Sequence, residues 1–221
     1  MEMKLVVCLT GHSFSGAFLD CWTAFIEELN INGIYHWINR KQGSVIEHVR
    51  TACLDGDIRL GKNQKPFQGK TDYTHMLWID SDQTFTFSNL MSLHSRNKDI
   101  ISGVYPDASS TCLVAVKSID YNYLRQHGTF NYMLPSDITG QTEPIAVAYT
   151  GMGFMLVKRG VFERVGYPWF RQEELKDREI IGSFSEDVSF CLNAAKAGFK
   201  TYLDPTVKIG HEKPFVLTAK D

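Results

Sequence analysis

A short apolar stretch that ends in two closely spaced carboxylates places the strongest constraint on how this chain can fold. Residues 75–79 (His-Met-Leu-Trp-Ile) form the kind of short apolar run that is typical of a buried β-strand. Asp80 and Asp82 follow this run directly, one residue apart. In open α/β sheets, ligands bind beyond the carboxyl ends of the strands. The stretch therefore predicts a buried strand whose end carries a pair of acids at a ligand-binding edge.

This acid pair favours a divalent cation. Two neighbouring carboxylates repel each other unless a cation or a shared proton lies between them. Carboxylate oxygens suit Mg²⁺ and Mn²⁺, which often share their ligands with the phosphates of a substrate. The alternative is purely structural, because Asp and Ser are ordinary turn residues that could simply cap the helix that follows.

Composition excludes several classes of protein. A length of 221 residues suits a single domain with a sizeable core, and a net charge of −2 argues against a nucleic acid or an acidic membrane as partner. The N-terminal apolar run of about six residues is too short for a signal peptide or a membrane segment. The cysteines are scattered without a C-x-x-C motif, which predicts a reducing, cytoplasmic location. They are Cys8, Cys21, Cys53, Cys112 and Cys191.

Strand and helix patterns alternate through the first half of the chain. Strands are predicted at 4–9, 34–39, 75–79 and 100–104, and helices at 15–30, 45–53 and 88–95. The Ser-Val-Ile-Glu stretch at 44–47 has the spacing of a capping box at the start of the second helix. Such alternation predicts an α/β fold with a mostly parallel central sheet and helices on both faces. The second half is less regular, so we expect it to be mixed, with strands at 145–149, 201–203 and 207–209. No repeat or linker interrupts the chain, and residues 1–221 are predicted to form one domain.

Polar clusters follow four of the predicted strands, at 10–13, 80–82, 150–153 and 210–212. If these strands are parallel, the clusters converge on one edge of the sheet. In the first cluster Thr10, Gly11 and Ser13 lie between a strand and a helix, where backbone N–H groups can approach a nucleotide. The glycine could equally serve only the tight turn.

The remaining candidate residues each have a functional and a structural interpretation. Arg50 either contacts a nucleotide base or diphosphate through its guanidinium, or is a solvated surface residue. Gly151 and Gly153 either bring the backbone close to a ligand or form a bulge. Glu186 and Asp187 open a helix, where the helix dipole favours acids, but either could also act as a general base.

Aromatic residues also collect in the irregular segment 118–143. Tyr121, Tyr123, Phe130 and Tyr132 lie there among polar neighbours. They could stack on a sugar, although packing of the loop is the simpler interpretation.

Four stretches taken together resemble a known family. Trp78-Ile-Asp-Ser-Asp82, Thr150-Gly-Met-Gly-Phe-Met155, Ser185-Glu-Asp187 and Gly210-His211 are similar in order and type to those of GT-A glycosyltransferases, in particular the small virus-encoded type such as the chlorella-virus capsid-glycan transferases. The resemblance implies a GT-A-like domain in which residues 1–105 bind a nucleotide sugar and residues 106–221 face a glycan acceptor. For a viral protein, the expected location is the cytoplasm of the host cell.

The resemblance also implies metal ligands. Asp82 would bind Mn²⁺ or Mg²⁺, Asp80 would ligate the same ion or contact the ribose, and His211 would be a third ligand. A histidine ligand favours Mn²⁺ over Mg²⁺.

Further roles follow from the same resemblance. Thr10, Gly11, Ser13 and Arg50 would hold the nucleotide of a UDP-sugar. Gly151 and Gly153 would line the sugar pocket. Asp187, with Glu186 as the substitute, would deprotonate the acceptor hydroxyl and give inversion at the anomeric carbon.

Two other functions are compatible with parts of the sequence. Asp80-Ser-Asp-Gln-Thr84 satisfies the Asp-x-Asp-x-Thr pattern of haloacid-dehalogenase-type phosphatases, in which Glu186 and Asp187 would supply Mg²⁺ ligands. That pattern normally follows a strand near the start of the fold, whereas two strand–helix units precede it here. The second alternative is a nucleotide- or carbohydrate-binding module that has the metal site but no general base.

Overall fold

The computed structural model describes residues 2–174 and 182–214. Within them lie the strands β1 (Lys4–Thr10), β2 (Tyr35–Lys41), β3 (His75–Asp80), β4 (Gln83–Thr84), β5 (Ile100–Val104), β6 (Ala115–Val116), β7 (Ile145–Val147), β8 (Tyr149–Thr150), β9 (Phe154–Lys158), β10 (Thr201–Lys208) and β11 (Gly210–His211). The α-helices are α1 (Gly16–Ile31), α2 (Ile46–Cys53), α3 (Phe87–Ser95), α4 (Tyr121–His127), α5 (Val161–Val165) and α6 (Glu186–Lys196).

A central seven-stranded sheet has the order β2-β1-β3-β9-β5-β10-β7. The pairs β1–β2, β1–β3 and β10–β5 are parallel, whereas β9 is antiparallel to both of its neighbours and β7 is antiparallel to β10. Five of these seven strands therefore point the same way. This confirms the predicted α/β class, with a mostly parallel sheet and a mixed second half.

Alternating side chains of β1 explain why helices cover both faces of the sheet. Successive residues of a strand point to opposite faces. Leu5 and Val7 pack in one core with Phe25 of α1, whereas Val6 and Cys8 pack in the other core with helices from the opposite side. The first core also contains residues of α3, and the second contains residues of α2, α5 and α6. A continuous apolar strand buried on both faces is the pattern expected inside such a sheet.

The two halves of the chain share this sheet. β9, from the second half, lies between β3 and β5 of the first half. The 150–153 turn was predicted to follow a parallel strand at the ligand-binding edge. It lies at that edge for a different reason. It does not end a parallel strand; it precedes the antiparallel β9, whose first residue, Phe154, pairs with Ile79 near the end of β3. The described residues form a single α/β domain, and the bounds 1–221 and the division at residue 105 stay predictions.

Several local predictions were wrong. The capping box proposed for residues 44–47 is absent, because α2 has Val45 as its N-cap and makes no side-chain cap bond. The segment 118–143 contains α4, whose N-terminus is capped by Asp120. The two short strands expected at 201–203 and 207–209 are largely one strand, β10, with a register shift between Asp204 and Lys208. Among the described residues, no helix is both long and apolar enough to cross a membrane.

Candidate functional site

The ends of β1 and β3 lie side by side and carry the first two site residues. Thr10 pairs in register with Asp80, and the Thr10 hydroxyl donates a 2.6 Å hydrogen bond to the Asp80 carboxylate. Gly11 follows with φ of +146°, and a Cβ atom there would lie 2.3 Å from the Cβ of Ser81. Only glycine lets these two turns pack together. Ser13 is exposed in the same loop.

Arg50 lies at the centre of this edge and is not a surface residue. Its side chain is 4% exposed, and its guanidinium lies over the ring of Trp78 at 5.7 Å. Nε donates to Glu186 at 3.0 Å, and Nη2 lies 3.1–3.2 Å from the two oxygens of Asp80. Nη1 is buried without a hydrogen-bond partner in the described part of the chain. Arg50 thus connects α2, β3 and α6, and its Nη1 group remains unpaired within the described residues.

Asp82 and His211 are 129 positions apart in sequence and adjacent in space. The short antiparallel pair β4–β11 aligns His211 with Gln83, next to Asp82. The His211 Nε2 atom lies 3.2 Å from Asp82 Oδ2. Two ligands at right angles on an octahedral ion with ~2.1 Å bonds lie roughly 3 Å apart. The observed spacing matches that of two ligands of one ion.

The hydrogen bonding of His211 gives a further reason for a cation at this point. Nδ1 lies 2.7 Å from the backbone oxygen of Pro106, and because a carbonyl can only accept, Nδ1 carries a proton. In a neutral imidazole, Nε2 then presents a lone pair to the Asp82 carboxylate. Two such acceptors at 3.2 Å repel each other unless a proton or a metal ion lies between them. The pair therefore fits a divalent ion, and its mixed nitrogen and oxygen donors suit Mn²⁺.

Asp82 also has a cationic partner, Lys213, which sequence analysis did not identify. The Lys213 ammonium lies 2.6 Å from Oδ2, the same oxygen that faces His211. Burial alone would raise the pKa of Asp82, but the hydrogen bond and the charge of Lys213 hold that pKa below its ordinary value. Lys213 follows His211 by two residues, and the period-two alternation of extended chain is the signal that could have found it.

Asp80 differs from Asp82 in its partners. Both of its oxygens are engaged by Arg50, and one also accepts from Thr10. Within residues 2–174 and 182–214, no three His, Cys, Asp or Glu side chains lie together in a group that could hold a metal ion. An ion at Asp82 and His211 would thus take its remaining ligands from water or substrate, as Mg²⁺ and Mn²⁺ commonly do at phosphate sites.

Gly151 and Gly153 are required by the side chain of Tyr105. A Cβ atom at residue 151 would lie 2.3 Å from the Tyr105 hydroxyl, and one at residue 153 would lie 3.0 Å from the Tyr105 ring. The Gly153 N–H donates to that hydroxyl at 2.9 Å, and the Gly153 carbonyl accepts from the N–H of Asp80. The close approach that these glycines allow is to Tyr105 and β3, and an approach to a ligand stays a prediction. Sequence reasoning missed Tyr105, which carries no motif.

The two acids that open α6 have different surroundings. Glu186 is 6% exposed and paired with Arg50, and its pKa is raised by burial, an effect that Arg50 only partly offsets. Asp187 is half-buried and accepts hydrogen bonds from the hydroxyls of Tyr149 and Ser185. Glu186 therefore anchors Arg50, whereas Asp187 is held in position by two hydroxyl groups and is the less buried of the two acids.

Comparison with known proteins adds evidence about the fold. No protein-family model matches the chain, and neither does any curated protein. Solved structures do match. The viral protein A197 from STIV has a TM-score of 0.52 at 16% identity, with 99% of each chain covered. GalNAc-T7, solved with UDP, GalNAc and Mn²⁺, has a TM-score of 0.54 at 12% identity over 95% of this chain and 43% of its own. The catalytic domain of Drosophila beta1,4-galactosyltransferase 7, solved with xylobiose, has a TM-score of 0.52 at 12% identity over 96% and 71%.

These similarities establish the class of fold. The central mixed sheet, with helices on both faces, is the architecture of GT-A glycosyltransferases. At 12–16% identity the matches concern the fold alone. The predicted GT-A-like domain is confirmed at that level, and the resemblance to the chlorella-virus type stays a prediction. The residues at the edge of the sheet must carry the argument about function.

Proposed function

We propose that this protein is a metal-dependent glycosyltransferase that moves a sugar from a nucleotide-diphosphate donor, a UDP-sugar, to a hydroxyl group of an acceptor. The contact between Asp82 and His211 carries the proposal, because it joins two metal-type ligands at the edge where such sheets bind ligands. The fold neighbours support it, since one was solved with UDP and Mn²⁺. When bound, a divalent ion would neutralise charge on the leaving diphosphate.

The residues around Arg50 are proposed to hold the nucleotide. Thr10 and Arg50 fix the Asp80 carboxylate at the end of β3, where it would contact the ribose or complete the metal site. Gly11 and Ser13 form the adjoining loop, which is open to solvent at Ser13. Arg50 would act on the nucleotide through Asp80, because its Nη1 atom, unpartnered within the described residues, is itself buried. Gly151 and Gly153 would place the backbone beside the sugar.

Asp187 is proposed as the general base. It would take the proton from the acceptor hydroxyl while that oxygen attacks the anomeric carbon. The bond from that carbon to the diphosphate oxygen breaks, and its electron pair leaves with UDP. Attack opposite the leaving group gives inversion. Tyr149 and Ser185 hold the carboxylate, and Glu186 is the less suitable base because it is buried against Arg50.

The first test is the binding of UDP with and without Mn²⁺ by calorimetry. We expect Mn²⁺ to be required, and Asp82→Ala to weaken Mn²⁺-dependent binding at least tenfold, or about 1.4 kcal/mol. Asp20→Ala is the matched control, because Asp20 is an exposed acid on α1. UDP binding that is unaffected by Asp82→Ala would remove the metal from the proposal.

The second test is turnover, and it separates the alternatives. Release of UDP from a panel of UDP-sugars indicates a transferase, whereas release of phosphate from p-nitrophenyl phosphate indicates the phosphatase. Mn²⁺-dependent UDP binding without turnover of any donor, in the presence of mixed acceptors, indicates a binding module. In the transferase, Asp187→Asn should lower kcat roughly 100-fold or more. The anomeric configuration of the product, read by NMR, tests inversion.

A further inference from the structure

A cavity of about 700 Å³ lies beside the Asp82–His211 pair. His211 and Lys213 form part of its wall. Three aromatic residues, Tyr123, Phe130 and Tyr132, form much of the rest. Its volume lies within the roughly 300–1,000 Å³ range of small-molecule sites. The cavity is therefore large enough for a ligand and adjoins the proposed reaction centre.

The lining combines aromatic rings with hydrogen-bonding groups. Asp107, Thr111 and Asn131 line the cavity together with the aromatic residues. A sugar ring has an apolar C–H face, which packs against an aromatic ring, and hydroxyl groups around its edge, which need polar partners. Amphipathic aromatics and a few placed polar groups provide both. This chemistry matches a carbohydrate better than it matches an apolar ligand.

A second cavity of about 550 Å³ continues from the first. Asn131, Tyr132 and Leu134 line both cavities. Lys117 and Gln141 line the second cavity alone. The chain at 131–134 thus forms a ridge between two adjoining spaces, and only one of the two spaces lies at the metal-ligand pair.

The ridge is held rigidly in place. Met133 exchanges backbone hydrogen bonds with 113–115, donating to the oxygen of Ala115 at 2.9 Å and accepting from the N–H of Leu113 at 2.8 Å. Its side chain is buried, and side chains alternate along extended chain, so Tyr132 and Leu134 point the other way. Leu134 is accordingly 49% exposed. A pre-formed ridge suits a ligand that lies across it.

From these observations we infer that the acceptor is an oligosaccharide of at least two sugars, which lies across Tyr132 and occupies both cavities. This inference rests on the proposed function. The sugar that receives the new linkage occupies the cavity beside His211 and Lys213, and the preceding sugars occupy the second cavity. Tyr132 contacts the sugars in both cavities. The pKa of Tyr132 is raised mainly by burial and also by the charge of Asp187, which lies nearby.

The test uses the full-length protein, saturated with Mn²⁺ and UDP, on an array of defined mono- to tetrasaccharides. We expect the protein to bind at least one set of saccharides that share a sugar sequence. Within that set, affinity should rise at least tenfold from the monosaccharide to the trisaccharide. Tyr123→Ala and Tyr132→Ala should lower oligosaccharide affinity at least tenfold, whereas Tyr132→Phe, which keeps the ring, should stay within about threefold. Tyr121→Ala is the matched control, because Tyr121 is 42% exposed on α4 and lines neither cavity.

A variant confined to the second cavity tests the arrangement of the two sites. Gln141→Ala should weaken binding of the trisaccharide and leave that of the monosaccharide unchanged. Equal affinity for mono- and trisaccharides, or equal losses in Tyr121→Ala and Tyr123→Ala at unchanged melting temperature, would overturn the inference. Binding of UDP and Mn²⁺ without any carbohydrate would also overturn it and leave the transferase proposal standing. Absence of UDP binding would instead remove the proposed function itself.

Discussion

A single oxygen of Asp82 faces two cationic or metal-binding groups, and this crowding predicts competition. The Lys213 ammonium lies 2.6 Å from Oδ2, and the His211 nitrogen lies 3.2 Å from the same atom. A metal ion that binds this oxygen must displace the ammonium. Lys213→Gln should therefore tighten Mn²⁺ binding in the absence of UDP by about fivefold, the equivalent of ~1 kcal/mol for a partly exposed pair. Electron paramagnetic resonance of free Mn²⁺ measures the change.

The matched control for this substitution is Lys62→Gln, which removes the same charge from an exposed loop. Affinity for Mn²⁺ should stay constant in that variant. If Lys213→Gln and Lys62→Gln behave alike, then Lys213 does not compete for Asp82. Only the resemblance to GT-A glycosyltransferases predicted that Asp82 and His211 act together, and their role as metal ligands stays a prediction. Lys213 was missed as their competitor, although it follows His211 by two residues and side chains two apart in extended chain lie on the same side.

His75, at the opposite end of β3 from Asp80, is expected to make the protein less stable in acid. Burial, with the neighbouring His94 and Lys158, lowers the pKa of His75 to about 4. An unfolded histidine has a pKa of ~6.5, so between these values the unfolded chain binds more protons and stability falls as the pH falls. The full shift corresponds to roughly 3 kcal/mol, and partial exposure of the ring reduces this to roughly 1–2 kcal/mol.

Replacement of His75 should remove that part of the acid sensitivity. Urea unfolding at pH 7 and pH 4 should show a smaller loss of stability for His75→Asn than for the original protein. His48→Asn, at an exposed position on α2, is the control and should lose as much stability as the original protein. An unchanged pH dependence in His75→Asn would contradict the assignment.

At the scale of elements, the turn before β9 depends on two glycines that fit around one tyrosine. In Gly151→Ala the new methyl group would lie 2.3 Å from the Tyr105 hydroxyl, so the turn or the ring must move. Overpacking of this kind costs about 1–3 kcal/mol. Gly16→Ala is the control, because no atom lies within 4 Å of that position. Thermal unfolding should show a clear loss for the first variant and little change for the second.

The clash can also be tested by its removal. Tyr105→Phe in the Gly151→Ala background removes the hydroxyl that the methyl group meets. The double variant should therefore lose less stability than the two single losses predict together. Strict additivity would mean that the hydroxyl is not the obstacle.

Elements with strong apolar periodicity were predictable, and elements fixed by distant contacts were not. β1, β3 and α1 lie within a residue or two of their predicted bounds because their buried faces recur at strand or helix spacing. The direction of β9 could not be read from its residues, since Phe154–Lys158 would be equally apolar in a parallel strand. The capping box failed because the hydroxyl of a serine two residues before the helix does not cap it.

At the scale of the whole molecule, one buried ion pair joins the two halves of the chain. Arg50 and Glu186 are 136 positions apart, and their side chains are 4% and 8% exposed. Sequence analysis left Arg50 either on the surface or in contact with a nucleotide. The burial of Arg50 depends on acids from two distant segments, and contacts of this kind leave no local sequence pattern. The single domain was nevertheless predictable, since the sequence shows no repeat or linker that would divide the chain.

The ion pair predicts an ordered set of stabilities. Arg50→Leu leaves the acids at 80 and 186 without their partner and should cost about 3–5 kcal/mol. Glu186→Leu should cost less, because Arg50 keeps its contact with Asp80. The double variant should be more stable than Arg50→Leu alone, since it no longer buries an unpaired carboxylate at residue 186. Arg59→Leu is the control: its 84%-exposed side chain pairs with Asp57, and its loss should cost under ~1 kcal/mol. If the double variant is no more stable than Arg50→Leu in urea unfolding, the two halves are not coupled through this pair.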